Sequence, residues 1–293
     1  MEYRDDDGGL SPPSRHENGF HAFNRMRFAA PARHSVPATT FDHPAYQGFP
    51  HTRLLSGEAW PDLAVLNQAL NGARHTSGRA LRFAAQTPAL LADGLHYEAR
   101  IFETGVIATR ERNWHDLFNA LMWLDRRPLK CAVNAAYLQS LRVNQGPERS
   151  RSQYALTHFD EAGAVVVMRD KSLLDLWDAH DWHGLLWRNR VRWEASVRVI
   201  LFGHALLEHC LVPTIMPVAK CVVVPDLGEA IDITLEIARR ILSGASLGDP
   251  QDLRPLPLAG LTGWHRDAGQ EDFYLTAPCF RPLRPGRRYP RPW

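Results

Sequence analysis

The longest apolar stretch of the chain, residues 197–210, is interrupted by Gly203, His204 and Glu208. It is too short and too polar to cross a bilayer. It reads instead as interior, in one of two ways. Either it is one long buried helix, or a strand over residues 197–202 turns at Gly203 into a helix opened by His204. The second version predicts a strand–helix–strand unit over residues 197–224, followed by a helix over 229–242. Both versions place a histidine and a glutamate one helical turn apart inside an apolar segment. Burying two ionisable groups is costly unless they are paired or used.

The chain has 293 residues, enough for one large domain or two small ones, and is 45% hydrophobic and 23% charged. That is the composition of a globular protein. It opens Met1-Glu2-Tyr3-Arg4-Asp5-Asp6-Asp7, acidic where a secretory signal is basic and then apolar. Cysteines 131, 210, 221 and 279 have no Cys-x-x-Cys spacing. Together these predict a cytoplasmic chain with free thiols. The formal charge is +2, but residues 281–293 hold five arginines and no acid, leaving the remainder at −3. A broad basic field is missing, so neither nucleic acid nor a membrane is an expected partner. No sequence feature sets an oligomeric state.

Residues 1–57 combine an acidic run, Gly-Gly and Pro-Pro without a sustained period. They read as a poorly ordered lead followed by a strapping segment around residues 41–49. Residues 58–280 then form a single globular domain, and residues 281–293 a basic Pro/Arg-rich tail that is extended and dispensable for folding. Pro61 suits the start of a helix with Leu63, Leu66 and Leu70 on one face. Residues 79–84, 97–102 and 106–110 read as strands, the last two a hairpin about Glu103-Thr104-Gly105. Asn113 fits an N-cap for a helix with Trp114, Leu117, Leu121 and Leu124 on its apolar face, and Pro128 opens another. Residues 154–159 and 164–168 read as a second hairpin about Asp160-Glu161-Ala162-Gly163, and Ser172 caps a short helix. The fold class expected is α+β, a single domain of antiparallel hairpins packed with helices.

Two constellations carry chemistry. His115 and Asn119 share a helix face, and a first-turn histidine is biased toward the neutral form that ligates metal or acts as a base. Asp116, three residues after Asn113, fits a capping box better than a catalytic role. His204 and Glu208 have the spacing by which one helix offers two groups to a metal, or a base and its orienting carboxylate. The bland alternative is a buried His–Glu hydrogen bond. Asp160 ends a strand in this reading and could face a pocket, while its neighbours are ordinary turn residues. Lys130 and Asn134 align on one helix, with Tyr137 beside them. Arg110, Arg112, Arg149 and Arg151 flank the two hairpins and could clamp phosphate or carboxylate. Nucleotide-binding glycine loops, a Gly-x-Ser-x-Gly elbow and His-Glu-x-x-His are absent from the sequence.

Three segments together resemble one bacterial family, domain of unknown function 3025. They are residues 97–123, containing Trp114-His115-Asp116-Leu117-Phe118-Asn119; residues 155–163; and residues 202–208. Gly263-Trp264, Phe273-Tyr274 and Phe280-Arg281-Pro282 resemble its ending, so the likeness covers roughly residues 60–285. The resemblance leads one to expect a histidine near the end of the second helix, where this chain has Tyr137-Leu138. It assigns no activity.

The expectation from the residues is a metal-assisted hydrolase acting on an anionic small molecule or phosphate ester. His115, Asp116, Asn119 and Asp160 are its catalytic candidates and Arg110, Arg112, Lys130 and Arg151 its substrate-binding ones. His204 and Glu208 would hold a divalent metal of unspecified identity. The alternative is a non-catalytic binding or interaction module with structural His/Glu groups, whose arginine tail contacts an acidic partner.

Overall fold

The computed structural model describes residues 28–143, 148–228 and 230–292. In chain order the first half contains α1 (Leu63–Leu70), β1 (Arg82–Ala85), α2 (Pro88–Leu91), α3 (Tyr97–Thr104), β2 (Val106–Thr109), α4 (Trp114–Asp125) and α5 (Arg127–Val143). The second half contains α6 (Arg151–Ala162), β3 (Gly163–Met168), α7 (Leu173–Asp178), α8 (Arg190–Ser196), β4 (Val197–Leu201), α9 (His204–His209) and β5 (Val218–Pro225). It closes with α10 (Ile233–Leu242), β6 (Arg254–Pro257) and α11 (Glu271–Thr276). The fold is α+β.

The larger sheet has the order β4-β3-β5-β6. β3 runs antiparallel to β4 and parallel to β5, and β6 is antiparallel to β5. Every residue of β3 is buried, as its continuous Ala-Val-Val-Val-Met run requires of a strand covered on both faces. β1 and β2 form a separate parallel pair.

Both expected hairpins are corrected. Residues 97–102 belong to α3, which buries Arg100 and Ile101 on one face. Gly105 is not a hairpin turn but the left-handed residue that ends this helix, at φ 75°. A Cβ there would lie 2.0 Å from the Ala80 carbonyl oxygen, so glycine is needed for both its backbone and its contact. β1 and β2 are joined through α2 and α3, the crossover that a parallel pair requires. Residues 154–159 lie in α6, whose start is fixed by a reciprocal capping box between Ser150 and Gln153. Asp160 and Glu161 therefore occupy the last turn of a helix.

The apolar stretch at 197–210 takes the strand–turn–helix form, β4 then α9. β5 follows, with β3 lying between it and β4. Residue 229 falls outside the described residues, and α10 starts at Ile233 behind an Asp232 cap. Gly203 makes the join: the N–H groups of Phe202 and Gly203 both donate to the Gly163 carbonyl, at 3.0 and 2.8 Å. A Cβ at 203 would fall 2.4 Å from the Ala162 Cα. The absence of that carbon lets the start of α9 press on the end of α6.

The expectation of a poorly ordered lead falls mostly on residues 1–27, outside the described residues. Further on, residues 33–54 run as single 3₁₀ turns, and Ala45, Tyr46, Phe49 and Leu55 enter the core. The Tyr46 hydroxyl donates to the Leu207 carbonyl at 3.1 Å, and its ring stacks on Phe118. Residues 281–292 have no helix or strand, yet they are docked. Arg254 donates to the Pro290 carbonyl at 2.7 Å, and Tyr289 hydrogen-bonds His180 at 2.9 Å. All four cysteines are free. No helix among the described residues is long and apolar enough to cross a membrane.

Candidate metal centre

The centre forms where α4, α9 and the end of α6 meet. Asn113 caps α4 by accepting the Asp116 N–H at 3.0 Å, which fixes the turn that carries His115. Asp116 does not complete the capping box. Its carboxylate accepts the Arg110 N–H at 2.6 Å and the Arg110 guanidinium at 2.7 Å. Arg110 and Asp116 thus satisfy one another and brace the loop before α4.

His115 is engaged through both ring nitrogens. Nδ1 lies 3.1 Å from Glu208 Oε2, and Nε2 lies 3.0 Å from Nε2 of His204. Two neutral imidazoles cannot both present a lone pair across such a gap, so a proton or a cation must lie between them. The Glu161 carboxylate approaches His204 Nε2 at 3.4 Å. One donor atom from each of His115, Glu161 and His204 lies within 4.8 Å of the others. His204 is only 4% exposed. Its Nδ1 faces Asp160, whose carboxylate Oδ2 lies 3.7 Å away and whose backbone is also within reach of the ring. Asp160 in turn accepts from Lys130 Nζ at 2.7 and 2.9 Å.

This donor set fits a divalent cation. Two imidazole Nε2 atoms and one carboxylate converge, and each histidine has a second carboxylate behind its Nδ1, Glu208 for His115 and Asp160 for His204. That outer ring is what fixes ring orientation and raises ligand basicity in metal sites. Among the described residues of the cluster, the carboxyl groups of Glu98, Asp116, Asp160, Glu161 and Glu208 outnumber the Lys130 ammonium and the Arg110 guanidinium, a balance that favours added positive charge.

The electrostatics follow from the packing. Burial drives His204 down to about 3, so its ring is neutral. The Glu208 hydrogen bond raises His115 despite partial burial. Burial, then the Asp160 charge, raises Glu161. Burial alone would raise Asp160 too, but the Lys130 ammonium, by its charge and its hydrogen bonds, outweighs it and holds the carboxyl below its usual range. Glu98 is raised to about 7, first by burial and then by Asp160. It accepts a hydrogen bond from Asn134, which also donates to the Glu98 carbonyl at 2.9 Å. Asn119 donates to the Tyr97 hydroxyl at 2.8 Å. The side-chain oxygen of Asn119 is buried without a partner, an acceptor that calls for a donor, while that of Asn134 faces the His75 ring.

A cavity of about 600 Å³ opens against Glu208, lined also by Phe28, Arg33, His34, Arg112 and Trp114. Arg112 takes a left-handed backbone at φ 56°, unusual for a residue with a side chain. The fold therefore gathers His115, Asp160, Lys130, His204 and Glu208, with Asn119 adjoining and Arg112 in the cavity. Glu208 lies behind His115 and does not share a donor cluster with His204. Arg151 lies apart from the other substrate-binding candidates: at the opposite end of α6 from Asp160, it pairs with Asp249 on the surface.

A family model described as "Protein of unknown function (DUF3025)" matches residues 81–284. The chain belongs to the DUF3025 family. No curated protein and no solved structure matches it. The matched span contains every residue of this centre, so the cluster is part of the DUF3025 domain itself.

Sequence reasoning missed Glu98 and Tyr97 because both were assigned to a strand. Glu161 was missed because the turn reading absorbed it. The signal that could have recovered Glu161 is the Ser-x-x-Gln capping box at 150–153. It starts a helix whose last turn carries Asp160 and Glu161 together.

Proposed function

We propose that this chain is a metal-assisted hydrolase of an anionic small molecule such as a phosphate ester, working in the cytoplasm. The observation that carries the reading is the 3.0 Å approach of the His115 and His204 Nε2 atoms beside the Glu161 carboxylate. These three side chains would hold the ion. Glu208 orients the His115 ring, and Asp160, anchored by Lys130, faces that of His204. A bound divalent ion supplies Lewis acidity and makes water a nucleophile near neutral pH. Glu98, with a proton affinity near neutrality, is suited to take up or release a proton in the surrounding ring. Arg33 and Arg112 line the cavity beside Glu208 and Glu58, and Arg112 offers an anionic substrate a guanidinium. The four unpaired thiols accord with a reducing compartment.

Elemental analysis of the purified protein, with assay of para-nitrophenyl phosphate hydrolysis before and after chelation, tests the proposal. One tightly held divalent ion is expected, lost in His204→Ala and Glu161→Gln, with activity that falls on chelation and returns on reloading. A protein that holds no metal, gains no thermal stability from added zinc, manganese or magnesium and hydrolyses nothing would overturn it. The interaction-module reading would then take its place.

A further inference from the structure

The five arginines of the tail are not spread over the surface. Three of them, Arg281, Arg284 and Arg287, turn back to line a cavity of about 610 Å³ whose floor includes Lys220. Lys220 is the partly buried residue of β5 that pairs with Pro255 of β6. Val218, two residues earlier on the same face, also lines the cavity, opposite Pro257. Trp182 and Tyr289 form a side wall, fixed by the bond from the Trp182 ring N–H to the Arg281 carbonyl at 2.7 Å.

No aspartate or glutamate lines this cavity. Among the described residues, no carboxylate forms an ion pair with any of the four cations. Arg287 does feel the charges of Asp249 and Asp252, but both lie outside the lining, and Asp249 is already held by Arg151. Burial, and then Arg287, Arg284 and Arg281, depress the Lys220 ammonium. Like charges gathered around a partly buried lysine repel one another, and a solvated tail would relax by moving apart. This tail is instead tied down by the Tyr289–His180 and Pro290–Arg254 hydrogen bonds, and by Arg287 donating to the Gln251 carbonyl at 2.6 Å.

We infer that this cavity is a second ligand site, separate from the metal centre, for a small phosphorylated molecule with at least two negative charges. Its size suits a small molecule. Arginine forks match phosphoryl oxygens, and the lysine supplies a point charge at the floor. A ligand there bridges the tail to β5, so it also clamps the C-terminus onto the sheet. The inference does not depend on the hydrolase reading and is tested with chelator present.

The test is calorimetric titration of the full chain with inorganic pyrophosphate at physiological salt, alongside citrate and a poly-glutamate peptide. Saturable one-site binding of pyrophosphate is expected, with a rise in melting temperature. It should weaken roughly tenfold or more in Lys220→Met and in Arg284→Ala, the effect of losing one charge-assisted contact. Lys220→Arg should retain it, and so should Arg112→Ala, which alters only the cavity beside the metal centre. Should Lys220→Met fail to fold, the exposed Arg284→Ala carries the comparison. Three results would overturn the proposal: no saturable binding, equal loss in Arg112→Ala, or preference for citrate or poly-glutamate. The last would mark a polycarboxylate site or an acidic-protein surface.

Discussion

Glu208 of α9 holds Nδ1 of His115 on α4 at 3.1 Å, although its helical spacing pairs it with His204. The two α9 residues grip one imidazole from opposite sides, His204 at Nε2 and Glu208 at Nδ1. One helical turn thus contributes both a donor that faces the centre and the carboxylate that orients the opposing donor.

Glu208→Gln should separate positioning from structure. The amide preserves size and a hydrogen-bonding oxygen but removes the carboxylate whose hydrogen bond raises His115. Metal affinity is expected to fall about 10–100-fold, while stability in urea changes by less than about 1 kcal/mol. A loss of about 3–5 kcal/mol in the metal-free protein would instead identify a buried structural ion pair.

Glu98→Gln should change how stability depends on pH. The carboxyl rises from 4.5 to about 7 on folding, so the folded state binds its proton more tightly than the unfolded one. Its contribution is full below about pH 4.5 and is lost as pH rises through about 7. The glutamine variant resembles the protonated form at every pH. Relative to the parent it should gain about 2–3 kcal/mol between pH 5 and pH 8. Urea titrations at the two pH values, in chelator, measure this, and parallel curves would contradict it.

Lys130 is 4% exposed and is bound to Asp160 by two hydrogen bonds. Lys130→Met should cost about 3–5 kcal/mol because it leaves the Asp160 carboxylate without its charge partner. The double variant Lys130→Met, Asp160→Asn should recover most of that loss. If it is no more stable than the single variant, the lysine acts mainly by packing on Trp123, over which its ammonium lies at 5.3 Å.

Gly203→Ala should damage the fold and the centre together. Its Cβ would meet backbone atoms of Ala162 and Gly163 within 2.4–2.5 Å, and backbone cannot swing aside as a side chain end can. A loss of about 1–3 kcal/mol is expected, with metal content falling because α9 is pushed away from Glu161. Full metal occupancy in a destabilised variant would show that the join is not what sets the donor spacing.

The parts legible in the sequence were those decided locally. Asn113 and the Trp114/Leu117/Leu121 stripe identify α4, and Gly203 inside the apolar stretch marks the passage from β4 to α9. The parts misread were those where local signals point the wrong way. Tyr154, Thr157 and Phe159 favour strands, and Asp160 and Gly163 favour a turn, yet the cap at Ser150 and packing on β5 and α9 make the segment helical. The parallel pairing of β1 with β2 leaves no local mark at all. Of the centre, His115 and His204 could be proposed from their neighbours. Their meeting depends on a contact between residues 89 apart in the chain, which spacing cannot reveal.

The central position of β3 has a kinetic meaning. Both of its partners, β4 and β5, follow it in the chain, so during synthesis β3 emerges with no strand to pair with. Contacts this distant in sequence close slowly. His204 cannot meet His115 and Glu161 until the segment beyond β4 has arrived and Gly203 has closed on Gly163. On the hydrolase reading proposed above, metal uptake would wait until α9 has emerged and folded back, and a chain stalled short of α9 would hold no ion.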